Sequence, residues 1–200
     1  HEDHGEGLDN YHVGASRGAG GLALKMGEKY YISKNFINHE TISNGPLRTV
    51  FRLDYEDWDS PYGKISEYKI ISLDLGSNLS KIEVNIKGTN KISAGISLQE
   101  NNGSIIEINN GILLKQNHFE TILSNVLLTS SQFYDGFHVY NPKIKDKNHL
   151  FLDFKLKEGK LVYYSGFHWS ESKQFKDHSS WEVYLNQLAA KIDNPIQIKY

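Results

Sequence analysis

The chain has 200 residues, of which 38% are hydrophobic, 12% aromatic and 23% charged, enough apolar material for one packed domain and unlike a disordered tail. Lys plus Arg (22) against Asp plus Glu (24) leave a net charge of -2, which excludes the basic surplus that general nucleic-acid binding needs. Cysteine is absent, so disulfides, thiolate metal sites and thiol nucleophiles are excluded, and no apolar run approaches the roughly 20 residues of a membrane span.

In chain order, the first feature is a polar, Gly-rich run, His1-Glu2-Asp3-His4-Gly5-Glu6-Gly7, with no initiator Met and no signal peptide. The chain is therefore expected to be a piece of a longer polypeptide: residues 1–200 form a single β-sandwich domain, or the C-terminal lobe of a larger one. Strand signals follow. Leu47, Thr49, Phe51, Leu53 and Tyr55 alternate with Arg48, Val50, Arg52 and Asp54, a period of two with one apolar face and one face carrying two arginines and a carboxylate. Further strands are expected over 67–75, 81–87, 92–98, 105–108, 111–115, 150–156 and 161–165. Asn44-Gly45-Pro46, Ser60-Pro61-Tyr62-Gly63, Asn101-Asn102-Gly103 and Asn109-Asn110-Gly111 supply turn chemistry between them. Short strands at close spacing predict an antiparallel sandwich, mainly β and supersandwich-like. One helix closes the chain. Ser179 with Glu182 reads as a capping box, Trp181, Tyr184, Leu185, Leu188 and Ile192 share a face, and Asn194-Pro195 stops it.

The residues able to do chemistry are concentrated in the opening segment. Its acids, imidazoles, Tyr11 and Arg17 are interleaved with glycines that let backbone turn sharply and approach a ligand. A phosphate loop is excluded, because no Gly-Lys-Ser/Thr follows. A metal site remains open, with His1, Asp3 and His4 as the first ligands and Asp9 and His12 also competent. So does a polar acid/base cleft in which His4 or Tyr11 moves protons and Asp3, Glu6 and Asp9 orient them. A plain hydrogen-bonded surface loop is the third possibility. Arg48 and Arg52, four apart on one strand, suit a grip on a carboxylate or sulfate; a solvated face with cross-strand pairs to Glu67 or Glu83 is the alternative. Tyr55, Trp58, Tyr164 and Trp169 are aromatic platforms beside polar groups, suited to stacking on sugar rings or to core packing. His39, His118, His149 and His178 look like solvated loop or strand-end residues.

Asp3-His4-Gly5-Glu6-Gly7-Leu8-Asp9, Tyr11, Val13-Gly14 and Gly18-Ala19-Gly20 together resemble the opening motif of a bacterial family long catalogued only as a domain of unknown function. That family is found in polysaccharide-degradation loci of Bacteroidota. Asn44-Gly45-Pro46-Leu47-Arg48, Ser66-Glu67 to Leu75-Gly76-Ser77, Tyr163-Tyr164-Ser165-Gly166 with Trp169-Ser170, and the closing helix extend the likeness over nearly the whole chain. This span corresponds to the C-terminal part of a typical member. The resemblance implies a periplasmic or extracellular β-sandwich protein acting on acidic oligosaccharides or polysaccharides; the charge balance and the lack of a long apolar run separately predict no nucleic-acid partner and no membrane insertion. It further implies kinship with an ulvan oligosaccharide dehydratase that makes an unsaturated uronic acid. His168 stands where the family pattern has a small residue, so no family role is carried onto it.

Eliminating water across C4–C5 of a uronate needs a cation to stabilise the enolate-like carboxylate, a base for the C5 proton and an acid for the departing hydroxyl. Tyr, His and Arg supply all three without a cofactor, a metal ion being the alternative. The expected assignment is His4 and Tyr11 for proton transfer, with Arg52 or Arg48 on the carboxylate and Arg17 in reserve. A glycoside hydrolase using Glu6 with Asp9 or Asp54, and a non-catalytic module binding through Trp58 and Trp169, are the other readings. The dehydratase reading expects the opening segment to lie across the sheet face that carries Arg48 and Arg52, and a structure decides whether these and Trp169 converge on one concavity.

Overall fold

The computed structural model describes residues 14–98, 103–118, 120–142 and 144–196. Period-two alternation between turn residues is realised as strands β1 (Ala19–Met26), β2 (Lys29–Tyr31), β3 (Phe36–Asn44), β4 (Arg48–Tyr55), β5 (Trp58–Ser60), β6 (Gly63–Asp74) and β7 (Leu79–Lys87). They continue as β8 (Lys91–Ser97), β9 (Ser104–Ile108), β10 (Gly111–His118), β11 (Thr121–Thr129), β12 (Tyr134–Tyr140), β13 (His149–Lys155) and β14 (Lys160–Trp169), before helix α1 (His178–Asp193). Five strands form one sheet, in the order β12-β13-β8-β1-β2. The larger sheet runs β3-β4-β6-β7-β14-β11-β10-β9, with β5 turned back on β6. The pairings are antiparallel throughout. This is the expected antiparallel sandwich with one C-terminal helix.

The two sheets face each other across one core. Ile92, Ala94 and Ile96 of β8 with Leu150, Leu152 and Phe154 of β13 meet Ile82, Val84 and Ile86 of β7, Ile112 and Leu114 of β10, and Leu127. Because side chains alternate along a strand, the residues between these look away from the core. On the outer side of the larger sheet, Leu113, Val126 and Leu128 make a second core with Trp181, Leu185 and Ala189 of α1. The helix thus packs on a sheet face rather than on an edge. Its cap also differs from the expected Ser179–Glu182 box. Asp177 is the N-cap, accepting the Ser180 N–H at 2.8 Å and the Ser180 hydroxyl at 2.7 Å, because a carboxylate is the stronger acceptor for an orphan N–H at the positive helix end. Asn194 closes the helix as expected, its N–H reaching the Ala190 carbonyl.

Two further expectations are corrected here. Trp58 is not a surface platform: it is buried in the core between the sheets. Glu67 does not serve the strand arginines, since it lies on the inner face of β6, buried, with Lys69 Nζ 3.6 Å away. No helix among the described residues is long and apolar enough to cross a membrane.

Candidate functional site

The outer face of the five-stranded sheet carries the densest chemistry among the described residues. With Leu150, Leu152 and Phe154 committed to the core, Phe151 and Asp153 of β13 project outward, beside Ser93 and Gly95 of β8 in register. His138 of β12 pairs with Phe151, and Tyr30 of β2 reaches across from the far side of the sheet. The Tyr30 hydroxyl lies 2.5 Å from His138 Nε2. His138 Nδ1 lies 2.7 Å from Asp153 Oδ2, and Ser93 donates its hydroxyl to Asp153 Oδ1 at 2.5 Å. In the neutral tautomer that donates Nδ1–H to the carboxylate, His138 accepts the Tyr30 O–H on Nε2. Four side chains from four strands therefore form one directional relay. Tyr30 is held in place by stacking on Phe151, 4.6 Å between centroids at 10°, with Tyr140 4.5 Å to its side. Burial first, then the charge of Asp153, pushes the Tyr30 phenol well above its ordinary range, so at neutral pH it keeps its proton. The relay still meets solvent, with His138 and Asp153 side chains 22% and 28% exposed.

Arg17 arrives at the same face. Gly95 has no side chain, and a Cβ there would meet Phe151 Cε1 at 2.8 Å and Arg17 Cβ at 3.0 Å; the glycine lets Arg17 lie flat against the sheet. The turn is fixed by Gly21 N–H to Arg17 O at 3.0 Å and Ser97 N–H to Gly18 O at 2.8 Å. Gly18 supports it from a left-handed conformation, φ 60°. Just beyond, Ser165 and Tyr163 of β14 donate to the carbonyls of Ala19 and Gly20. Arg17, Glu28, Tyr30, Tyr140, Lys147 and His149 line a cleft of about 430 Å³. A second cleft of about 380 Å³ adjoins the other side of the relay, lined by Lys25, Lys91, Ser93, Asp135, His138 and Asp153. Burial penalises the Arg17 charge and lowers its pKa, so an incoming carboxylate would be favoured there.

The residues expected from sequence are distributed differently. His1, Asp3, His4, Glu6, Asp9 and Tyr11 lie outside the described residues, and with them the metal alternative of His1, Asp3 and His4. Among the described residues no three His, Asp or Glu gather as a metal-binding group. Arg48 and Arg52 do share a strand face, but it is the outer face of the larger sheet, with the sandwich core between them and Arg17. Both are occupied. Arg48 makes a two-point pair with Asp74, its cross-strand partner. Arg52 grips Asp54 at 2.6 Å and lies 3.9 Å over the Tyr68 ring. The hydrogen bond from Arg52 in turn holds the Asp54 carboxyl below the usual carboxylate range, which suits an ion-pair partner better than a proton donor. Tyr55 has Lys69 Nζ 4.4 Å over its ring. Tyr164 packs against the helix-side core. Trp169 donates its indole N–H to Thr121 at 3.0 Å and, with Gly18, Ala19 and Phe167, lines a cleft of about 810 Å³. The Gly-rich turn and Trp169 thus share a concavity, and the two strand arginines stand outside it.

Compared with known proteins, the chain matches Domain of unknown function (DUF4861) over residues 1–198. The chain belongs to the DUF4861 family. It is similar to "Uncharacterized protein P7" of Formosa agariphila, 41% identical over 201 residues that cover 99% of this chain and 51% of that protein. The chain therefore spans about half the length of this curated relative. No solved structure matches it.

Sequence reasoning passed over Tyr30, His138 and Asp153 and misjudged His149, which is buried rather than solvated. In this DUF4861 chain His149, His168 and His178 all have pKa values lowered from the ordinary 6.5, with burial as the first cause in each. A histidine held neutral in the fold binds fewer protons than in the unfolded chain, so its contribution is intact above 6.5 and is lost as pH falls below it. The urea midpoint is expected to hold from pH 7.5 to about 6.5 and to drop from there to pH 5.5; a flat midpoint below 6.5 would contradict these assignments.

Proposed function

We propose that this DUF4861 chain is the proton-transfer part of a carbohydrate-active enzyme of acidic-polysaccharide breakdown outside the cytoplasm, a lyase or dehydratase that eliminates across C4–C5 of a uronic acid residue. The observation that carries the reading is the relay Tyr30–His138–Asp153 opening onto a cleft that also holds Arg17. As the C5 proton moves to the Tyr30 oxygen, the phenol proton moves to His138 Nε2, and Asp153 with Ser93 steadies the imidazolium. Electrons from the broken C5–H bond form the C4=C5 double bond through an enolate-like carboxylate gripped by Arg17. The C4–O bond breaks, and the relay returns its proton to the departing hydroxyl through Tyr30, so that water leaves and each group is restored. No cofactor enters this sequence. The partner is an acidic oligosaccharide or polysaccharide, and the resemblance in the opening segment supports that substrate class and an exported location.

The full-length protein mixed with uronic-acid oligosaccharides is expected to generate the ultraviolet absorbance of an unsaturated uronate. New reducing ends without that absorbance would replace this reading with hydrolysis by paired carboxylates. Saccharide binding without turnover would make the chain a binding module.

A further inference from the structure

We infer that His149, in its neutral form, is a positioning residue that seats Arg17 in the cleft, and that protonation of its ring unseats it; the consequence for substrate rests on the proposed grip of Arg17 on a carboxylate. His149 Nε2 accepts the Arg17 backbone N–H at 2.8 Å, and Nδ1, which lies 2.9 Å from the Lys147 carbonyl, donates to it. One nitrogen must be bare and the other protonated for both bonds to exist, which fixes a neutral tautomer. The ring is buried at 4% exposure and packs at a tilt of 34° against Phe151, 5.2 Å between centroids, the ring that also carries Tyr30. His149 thus ties the start of β13 to the turn that enters β1, residues separated by 132 positions.

The groups around the ring oppose a positive charge. Lining the cleft beside it are Arg17 ahead of β1, Glu28 in the β1–β2 turn, Lys29 and Tyr30 of β2, Tyr140 of β12 and Lys147 ahead of β13. Ser97 of β8 is its cross-strand partner. Three of these are cations and one is a carboxylate. A proton added to Nε2 places two donors nose to nose and sets an imidazolium beside the guanidinium. The Arg17 N–H then has no acceptor, and the turn closed by Gly21 and Ser97 loses its third tie. Acid would therefore release the arginine from the same face on which the relay works.

The test follows the Arg17 amide by NMR in the full-length protein from pH 8 to 5. Its protection factor is expected to fall about tenfold, the scale of one hydrogen bond's net contribution, in step with the titration of the His149 ring. His149→Gln retains an acceptor oxygen and does not titrate, so its protection factor is expected to stay level. His149→Phe keeps the stacking and is expected to be unprotected at every pH. A wild-type amide indifferent to the His149 titration, or a step that persists in His149→Gln, would overturn the inference. Binding of a glucuronate trisaccharide separates the two claims. A matching loss of affinity in acid, absent from His149→Gln, supports both, whereas an amide step with unchanged affinity keeps the seating and rejects the carboxylate grip.

Discussion

Replacing Tyr30 by Phe is expected to lower turnover of uronic-acid oligosaccharides by about 10²–10⁴-fold while leaving the fold intact. The phenol oxygen ends the relay, 2.5 Å from His138 Nε2, on a residue that lines the cleft, and Phe removes that oxygen alone. The stacking on Phe151, 4.6 Å at 10°, is available to either ring, so the thermal midpoint should hold. Asp153→Asn is expected to fall in the same range by a different route. An amide can present its N–H to His138 Nδ1, which turns the imidazole tautomer around and removes the acceptor that Tyr30 needs. Tyr62, exposed at a turn, serves as the control: Tyr62→Phe should be silent. The initial rate of ultraviolet absorbance, measured for the full-length protein and each variant, checks all three. Full activity in Tyr30→Phe would remove the relay from the chemistry.

The largest effect on stability is expected at the helix. Trp181 is completely buried, packed 5.1 Å from Phe175, 5.6 Å from His168 and 5.4 Å from Tyr184 between ring centroids. It joins α1 to Leu113, Val126 and Leu128 of the larger sheet. Trp181→Ala removes the ring and leaves a cavity that β-strands cannot close by collapsing, at a cost of about 3–5 kcal/mol. Against a total stability of about 5–15 kcal/mol, that change is enough to unfold a substantial fraction of molecules in mild urea. Val183, on the same helix and exposed, bounds the propensity effect: Val183→Ala should change stability by no more than about 0.5 kcal/mol. Equilibrium urea unfolding of the two variants decides the matter, and equal midpoints would show that α1 adds little to the fold.

The sandwich was legible where one strand face is core and the other solvent. β4, β7, β8 and β13 alternate apolar and polar or small residues in sequence, and each appears where its alternation predicted. Alternation is missing from β11, whose Ser124 to Thr129 are all buried because α1 covers one face and the second sheet the other. It is missing again from β3, where every residue is exposed at the edge of the larger sheet. The site was harder to read for a related reason. Tyr30 lies on a three-residue strand, and its partner His138 is 108 positions away, so their meeting depends on β2 and β12 closing opposite sides of one sheet. Asp153 was legible as an outward residue of its strand, but its partners were not. Arg48 and Arg52 illustrate the converse: spacing placed them on one face, while the register that set Asp74 against Arg48 could not be read from the strand itself. Arg17, held in reserve, is the arginine that lines a cleft with Tyr30 and His149.

A crystal structure of the full-length protein with a uronate oligosaccharide bound tests the central claim most directly. The account predicts the sugar carboxylate on the Arg17 guanidinium, with C5 of that ring facing the Tyr30 oxygen. A sugar seated instead against Trp169, or over Arg48 and Arg52, with the cleft at Tyr30 empty, would contradict it.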